Sequence, residues 1–204
     1  MKIICIAWNY REHVKELDNT IPDAPVFFLK PDTALLRNNQ PFFYPDFTQN
    51  LHYETELVVR IGKVGRSIAE KFAHRYYSEL GIGIDFTARD IQQQCRQQGL
   101  PWDAAKAFDY SAPVSPQLIP TAELGSLSNI NFHLAINGKT VQQGNSGDMI
   151  FGIDKLISHV SQYVTLKIGD LIFTGTPSGV GVVNVGDRLQ AYINGKLMLD
   201  FDVK

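Results

Sequence analysis

What most limits the folds open to this chain is a succession of short apolar, β-type runs cut by Gly and Pro. They fall at residues 2–7, 26–29, 56–62, 81–84, 131–137, 170–174 and 188–193. Each run is one strand long and rich in Val, Ile and aromatic residues, whose branched or planar side chains pack well on a pleated surface. Helical periodicity is confined to 11–17, 67–79, 87–98 and 153–163, too few segments for strands and helices to alternate. The expected class is therefore α+β and mostly β.

Local signals punctuate these elements. Asn137-Gly138 and Asn194-Gly195 each sit between apolar runs and predict two β-hairpins. Thr87 followed by Asp90 resembles a capping box opening the 87–98 helix, and Gly99 stands where a helix commonly stops. The proline-containing stretch 113–120 reads as a loop, and no repeat or linker divides the chain, so residues 1–204 are expected to form one domain. At 204 residues such a domain buries enough surface to need neither disulfide nor structural metal.

The 19 basic and 21 acidic residues are interspersed, giving a net charge of -2, which argues against a nucleic-acid or polybasic membrane partner and for a small ligand. Cys5 and Cys95 form no CxxC pair, as in a reducing compartment. No apolar run approaches the roughly 20 residues that span a bilayer. MKIICIAWNY runs straight into a strand-like segment without a cleavage site, so a cytoplasmic protein is expected.

Several residues carry chemistry if the fold gathers them. Glu54 and Glu56 in YETELVV lie two apart on a strand and project to one face, where a hard divalent cation such as Mg2+ or Mn2+ would neutralise them; a solvated strand face is the plainer reading. Asp85 ends the run LGIGI at a strand-to-helix junction, where it either caps the next helix or supplies a third carboxylate. His13 and Glu16 are spaced i, i+3, so that the carboxylate would orient the imidazole as a general base, unless both sit on an exposed polar turn.

Lys106, in WDAAKAFD, is a partly desolvated cation for an anionic ligand or an ordinary exposed lysine. Arg89 and Gln92, also i, i+3, would reach a cavity at Asp85, with Arg89 as a fork for a ligand carboxylate. TGTPSGVG at 174–181 presents backbone N–H groups to an anion or is simply a tight turn; without GK[ST] it is no phosphate loop. The other histidines, His52, His74, His133 and His159, have no partner at useful spacing.

Taken in order, NYREHVKE, PVFFLKP, LHYETELVVRIGK, IDFTARDIQ, GLPWDAAKAFD, INGKTVQQGNSGDMIF and GDLIFTGTPSGVG resemble the fumarylacetoacetate hydrolase family along nearly the whole chain. The brevity of the chain makes it most similar to the small single-domain acylpyruvate hydrolases and oxaloacetate decarboxylases. The resemblance implies a mixed β-sandwich roll with a few short helices, a homodimer, and Mg2+ or Mn2+ held by Glu54, Glu56 and Asp85. It implies a catalytic dyad at His13 and Glu16, an active-site lysine at Lys106, substrate contacts from Arg89 and Gln92, and further pocket positions at Lys30 and Thr176.

The expected activity is cleavage of the C3–C4 bond of a small anionic 2-oxo acid, with pyruvate leaving as its enolate at the metal. Isomerisation of an unsaturated 2-hydroxy or 2-oxo diacid and a non-catalytic metal-binding dimeric scaffold are the competing readings. Two departures, the sequence Ala112-Pro113-Val114-Ser115-Pro116 where many relatives carry a Gly and the short span between His13 and Pro25, bear on substrate size.

Overall fold

The apolar runs pair into a six-stranded mixed sheet and a four-stranded antiparallel sheet, in a computed structural model that describes residues 1–16 and 19–204. The larger sheet has the order Val26–Lys30, Ile3–Ala7, Leu171–Phe173, Thr55–Ile61, Tyr77–Ile84, Ile119–Pro120. Ile3–Ala7 and Leu171–Phe173 pair parallel, and the other neighbours pair antiparallel.

Alternation along these strands explains why they read as unbroken apolar runs. Ile4, Ile6, Leu57, Val59, Ile82 and Ile84 point into a core shared with Phe132, Leu134, Leu189, Ile193 and Phe201 of the smaller sheet. Ile3, Cys5, Val58, Leu171 and Phe173 point the other way, into a second cluster closed by Ala34, Ala112 and Val114. A sheet covered on both faces keeps apolar residues at both parities. The architecture is the expected mostly-β roll with few helices.

The smaller sheet has the order Lys139–Asn145, Asn131–Ile136, Arg188–Ile193, Lys196–Asp202. Its two hairpins turn at Asn137-Gly138 (φ 52° and 79°) and Asn194-Gly195 (φ 47° and 80°), both residues left-handed as a type I′ turn requires. Four α-helices lie among the described residues: α1 Arg11–Glu16, α2 Arg89–Gln98, α3 Asp103–Lys106 and α4 Ile153–Tyr163. α4 buries Ile153, Leu156, Ile157 and Val160, spaced i, i+3, i+4, i+7. Gly99 ends α2 at φ 66°, its N–H donating to the Cys95 carbonyl.

Three local expectations are corrected. No α-helix occupies 67–79: Glu70–Arg75 is a 3-10 segment and Tyr77 already begins the strand to Ile84. Pairing with Thr55–Ile61 satisfies that backbone and buries Leu80, overriding local helical periodicity. Thr87 belongs to a two-residue strand paired with Leu51–Tyr53, so α2 starts at Arg89 without a capping box; Asp90 instead accepts from Thr48 Oγ1 at 2.6 Å and the Gln49 amide at 3.0 Å. The 113–120 stretch is not a plain loop, because Ala112–Pro113 and Ile119–Pro120 at its two ends pair with Leu35–Leu36 and Tyr77–Ile84. Leu17, the last residue of the expected 11–17 helix, lies outside the described residues.

Gly83 stands opposite Glu56 in the central pair of strands. A Cβ there would lie 2.7 Å from the Phe173 ring and 2.8 Å from the Pro113 carbonyl oxygen, and backbone yields little. Gly83→Ala should therefore cost about 1–3 kcal/mol by overpacking. Gly62→Ala, whose Cβ meets nothing closer than 3.9 Å, should be near neutral. Urea denaturation of the two variants checks the contrast.

Candidate metal centre

The three acidic residues converge because of strand parity. Glu54 leads into Thr55–Ile61, so Glu54 and Glu56 share the face of Val58, opposite the core face of Leu57 and Val59. The partner strand ends at Ile84, and the next amide, of Asp85, donates to the Glu54 carbonyl at 2.8 Å. One carboxylate oxygen from each of Glu54, Glu56 and Asp85 lies within 4.8 Å of the others. All three are buried, at 6%, 1% and 1% exposure, so this is no solvated strand face.

Three carboxylates removed from water need counter-charge. Lys106, at the end of α3, bridges two of them, its Nζ donating to Glu54 Oε2 at 2.9 Å and Asp85 Oδ2 at 2.8 Å. Arg89, the first residue of α2, donates from Nη2 to Glu54 Oε1 at 2.7 Å, and the Thr87 hydroxyl donates to the same oxygen at 3.0 Å. Lys30 is fully buried with its Nζ 2.7 Å from Asp85 Oδ1. The Lys30 ammonium directs its protons elsewhere, to the carbonyls of Lys106, Phe86 and Ser111 and to the Ser111 hydroxyl. Asp85 Oδ1 thus has a charge partner but no aligned hydrogen bond. Asp85 does not cap α2.

Glu56 differs from its neighbours. It accepts the Gly175 N–H at 2.6 Å, and no lysine or arginine among the described residues pairs with it. Burial and the nearby Asp85 and Glu54 charges push its carboxyl well above the usual carboxylate range. Burial would also raise Glu54, but the Lys106 ammonium and Arg89 guanidinium prevail and hold it below that range. Burial would lower Lys106, yet Asp85 and Glu54 keep it a protonated cation. The donor set is hard and anionic, each carboxylate retains lone pairs, and one member lacks a cation, so Glu54, Glu56 and Asp85 fit a divalent ion such as Mg2+ or Mn2+.

His13, buried on α1, faces the same cavity, its Nδ1 2.9 Å from Glu16 Oε2. The other Glu16 oxygen accepts the Gly179 amide at 3.1 Å. The 174–181 loop therefore offers backbone N–H groups to two of the chain's own carboxylates, Glu56 and Glu16, from Gly175 and Gly179 at φ 96° and 94°. Thr176 is fixed beside them by donating to the Thr55 carbonyl at 3.0 Å and accepting from Gln142 at 2.8 Å.

The cavity itself is small, about 30 Å³. Its polar side is His13, Glu54, Asp85, Arg89, Gln92, Lys106 and Thr176. Two expected placements differ. Lys30 lies behind Asp85 and does not line the cavity, because its ammonium is consumed by Asp85 and by the carbonyls of Lys106, Phe86 and Ser111. Arg89 is not a free fork for a ligand, since Glu54 and, at 2.6 Å, Gln92 Oε1 occupy it. The apolar side, Ile6, Ala7, Trp8, Phe28 and Trp102, was not expected from the sequence. The available signal was the scarcity of tryptophan: both tryptophans of the chain line this one cavity.

The family profile described as fumarylacetoacetate (FAA) hydrolase C-terminal matches residues 2–204. Oxaloacetate tautomerase FAHD1, mitochondrial, of Bos taurus is 43% identical over 202 residues, covering 99% of this chain and 91% of that protein. Oxaloacetate tautomerase YcgM of Escherichia coli is 41% identical over 195 residues, covering 95% and 89%. The crystal structure of fumarylpyruvate hydrolase from Pseudomonas aeruginosa, in complex with Mn2+ and pyruvate, superposes with a TM-score of 0.93 at 35% identity, covering 100% and 89% of the two chains. No helix among the described residues is long and apolar enough to cross a membrane.

Saturating Mn2+ or Mg2+, at about 100 times its Kd, should stabilise the protein by about 2.7 kcal/mol, a rise of roughly 5–10 °C in Tm. Glu56→Gln should abolish that rise while keeping an acceptor for the Gly175 amide. Without metal, the raised Glu56 pKa contributes stability below the ordinary carboxylate range that is lost as pH climbs through the raised value. Melting curves against pH in EDTA should show this decline in the wild type and a flatter profile in Glu56→Gln. Lys30→Met, which strips a buried carboxylate of its counter-charge, should cost roughly 3–5 kcal/mol in the same melts.

Proposed function

The chain belongs to the fumarylacetoacetate hydrolase family, and from that premise we propose that it is a divalent-metal-dependent enzyme cleaving the C3–C4 bond of a small acylpyruvate. The observation that carries this reading is the opening of Glu54 and Asp85, two of the three clustered carboxylates, onto one cavity with a carboxylate-oriented histidine and a lysine held as a cation. Lys30, Lys106 and Arg89 pair with Glu54 and Asp85 and leave Glu56 without a cation, so with all three carboxylates counted as ionised the metal-free centre is formally neutral. A divalent ion would make it positive and suited to an anionic 2-oxo acid. When bound, Mg2+ or Mn2+ at Glu54, Glu56 and Asp85 supplies Lewis-acid polarisation of the ligand's oxygens.

The chain's own groups divide the proton chemistry. Lys106 stays protonated, so it serves as a fixed positive charge for developing negative charge and not as a base. The base is His13: with Nδ1–H directed at Glu16, Nε2 is the acceptor that takes a proton from water. The hydroxide adds to the C4 carbonyl, the C3–C4 bond breaks, and its electron pair stays on C3 as pyruvate enolate. Protonation at C3 then gives pyruvate and a carboxylic acid. In oxaloacetate the same bond breaks with loss of carbon dioxide and needs no attacking water.

Oxaloacetate tautomerisation is the second reading, favoured by the names of the two relatives, and it requires only proton movement at C3 and the C2 oxygen. A homodimer belongs to the same proposal and is checked by sedimentation. The deciding experiment supplies Mg2+ or Mn2+ and follows pyruvate release from acetylpyruvate, fumarylpyruvate and oxaloacetate, with the ultraviolet decay of enol-oxaloacetate followed in parallel. Acylpyruvate cleavage should be lost in excess EDTA, and His13→Ala should lower it roughly 100-fold, the scale of a lost general base. Full-rate cleavage in EDTA would overturn metal dependence, and enol decay without pyruvate release would leave tautomerisation as the activity.

A further inference from the structure

A buried glutamine reaches the centre from the smaller sheet. Gln142, at 2% exposure, is the only fully buried residue of Lys139–Asn145, a strand whose other positions are exposed or half-buried. Such a position suits an apolar residue. An amide there gives up its water and its rotamer freedom, a cost that only well-made hydrogen bonds offset. A β-bulge directly precedes it: Leu134 pairs with Gln142 and Ala135 with Thr140, leaving Val141 unpaired. Bulges of this kind re-aim a side chain, and Gln142 makes its hydrogen bonds outside its own sheet.

Those bonds close a ring. The Thr55 N–H donates to Gln142 Oε1 at 3.0 Å, Gln142 Nε2 donates to Thr176 Oγ1 at 2.8 Å, and Thr176 Oγ1 donates to the Thr55 carbonyl at 3.0 Å. Gln142 Nε2 also donates to the Pro177 carbonyl at 2.8 Å. A main-chain N–H can only donate and a carbonyl only accept, so the orientation of the Gln142 amide and the direction of every bond are fixed. Thr55 stands between Glu54 and Glu56, while Thr176 lines the cavity and follows Gly175, whose N–H Glu56 accepts. The hydroxyl proton of Thr176 is committed to Thr55, whereas its main-chain N–H, in a residue 3% exposed, has no partner among the described residues. A buried donor without a partner is costly, and a ligand that accepts from it removes the cost.

We propose that Gln142 is a positioning residue of the site: by tying Thr176 and Pro177 to the strand of Glu56, it sets the Thr176 N–H to donate to an anionic oxygen of the bound ligand. This rests on the reading of the site as one for anionic 2-oxo acids. Gln142 does not itself line the cavity, so its loss weakens ligand binding and spares the cation at Glu54, Glu56 and Asp85.

The test is calorimetry of pyruvate on the Mn2+-loaded protein. Gln142→Met, similar in size but without the amide, should bind pyruvate at least about 10-fold more weakly than the wild type, the scale of a misaligned hydrogen bond to a charged group, with its Mn2+ affinity within about threefold. Thr176→Val opens the ring at the hydroxyl and keeps the N–H, and it should weaken pyruvate likewise. Thr176→Ser, which keeps the hydroxyl, should regain most of that loss. The double variant Gln142→Met/Thr176→Val should be no more than about twofold weaker than Gln142→Met, because both changes open the same ring. Gln142→Asn keeps the amide one methylene short of its partners, and its loss of pyruvate affinity carries the test should Gln142→Met fail to fold. Unchanged pyruvate affinity in a Gln142 variant whose Tm has fallen would make the residue merely structural and overturn the proposal. Losses that multiply in the double variant, or an equal loss of Mn2+ affinity, would overturn it too. The expected pattern in a protein releasing no pyruvate from acetylpyruvate would uphold the positioning role and overturn the cleavage reaction. A wild type that binds Mn2+ but no pyruvate would overturn both.

Discussion

Burial of Glu54, Glu56 and Asp85 on one face of the central sheet is the constraint that organises the rest of the molecule. Desolvated like charges repel strongly, so the fold must bring cations to them. The three it brings come from separate parts of the chain: Lys30 from the end of Val26–Lys30, Arg89 from the start of α2 and Lys106 from the end of α3. Each ion pair therefore doubles as a tie between an outlying element and the sheet. Lys30 extends this by gathering the carbonyls of Phe86, Lys106 and Ser111, which ties the end of α3 to the segment that follows Asp85.

The imbalance left over is as informative as the balance. Glu56 receives a backbone amide and no cationic side chain among the described residues, in a place where water cannot compensate. That shortfall falls beside the cavity, next to a lysine held as a cation and a histidine oriented by Glu16. Electrostatics and geometry thus specify together where a dication and an anionic ligand would sit, and why Lys106 is suited to stabilising charge and His13 to moving protons.

Much of this could be read along the chain. The spacing of Glu54 and Glu56 announces a shared face, Asp85 marks the end of an apolar run, and His13 with Glu16 lies one helical turn apart. The Asn-Gly turns and the Gly99 stop were legible because they depend on backbone angles set by local residue chemistry. Other features were not. Helical periodicity at 67–79 yields to a strand whose partner lies about twenty residues away, and the Thr87 hydroxyl, apparently a helix cap, turns to Glu54 instead. Arg89 and Lys30 are basic residues like any others until one knows that Glu54 and Asp85 have already claimed them.

Residue order and type by themselves determined the mostly-β class, the hairpins, the family and the candidate ligands, because strand alternation, turn angles and donor chemistry are properties of neighbours in the chain. Only the tertiary structure decided which charges are spent and which remain, that Lys30 lies behind the centre and not in it, and that Trp8 and Trp102 line the same cavity as Glu54 and Asp85. Such outcomes depend on distances of a few ångströms between residues up to about a hundred positions apart, and no local pattern records those.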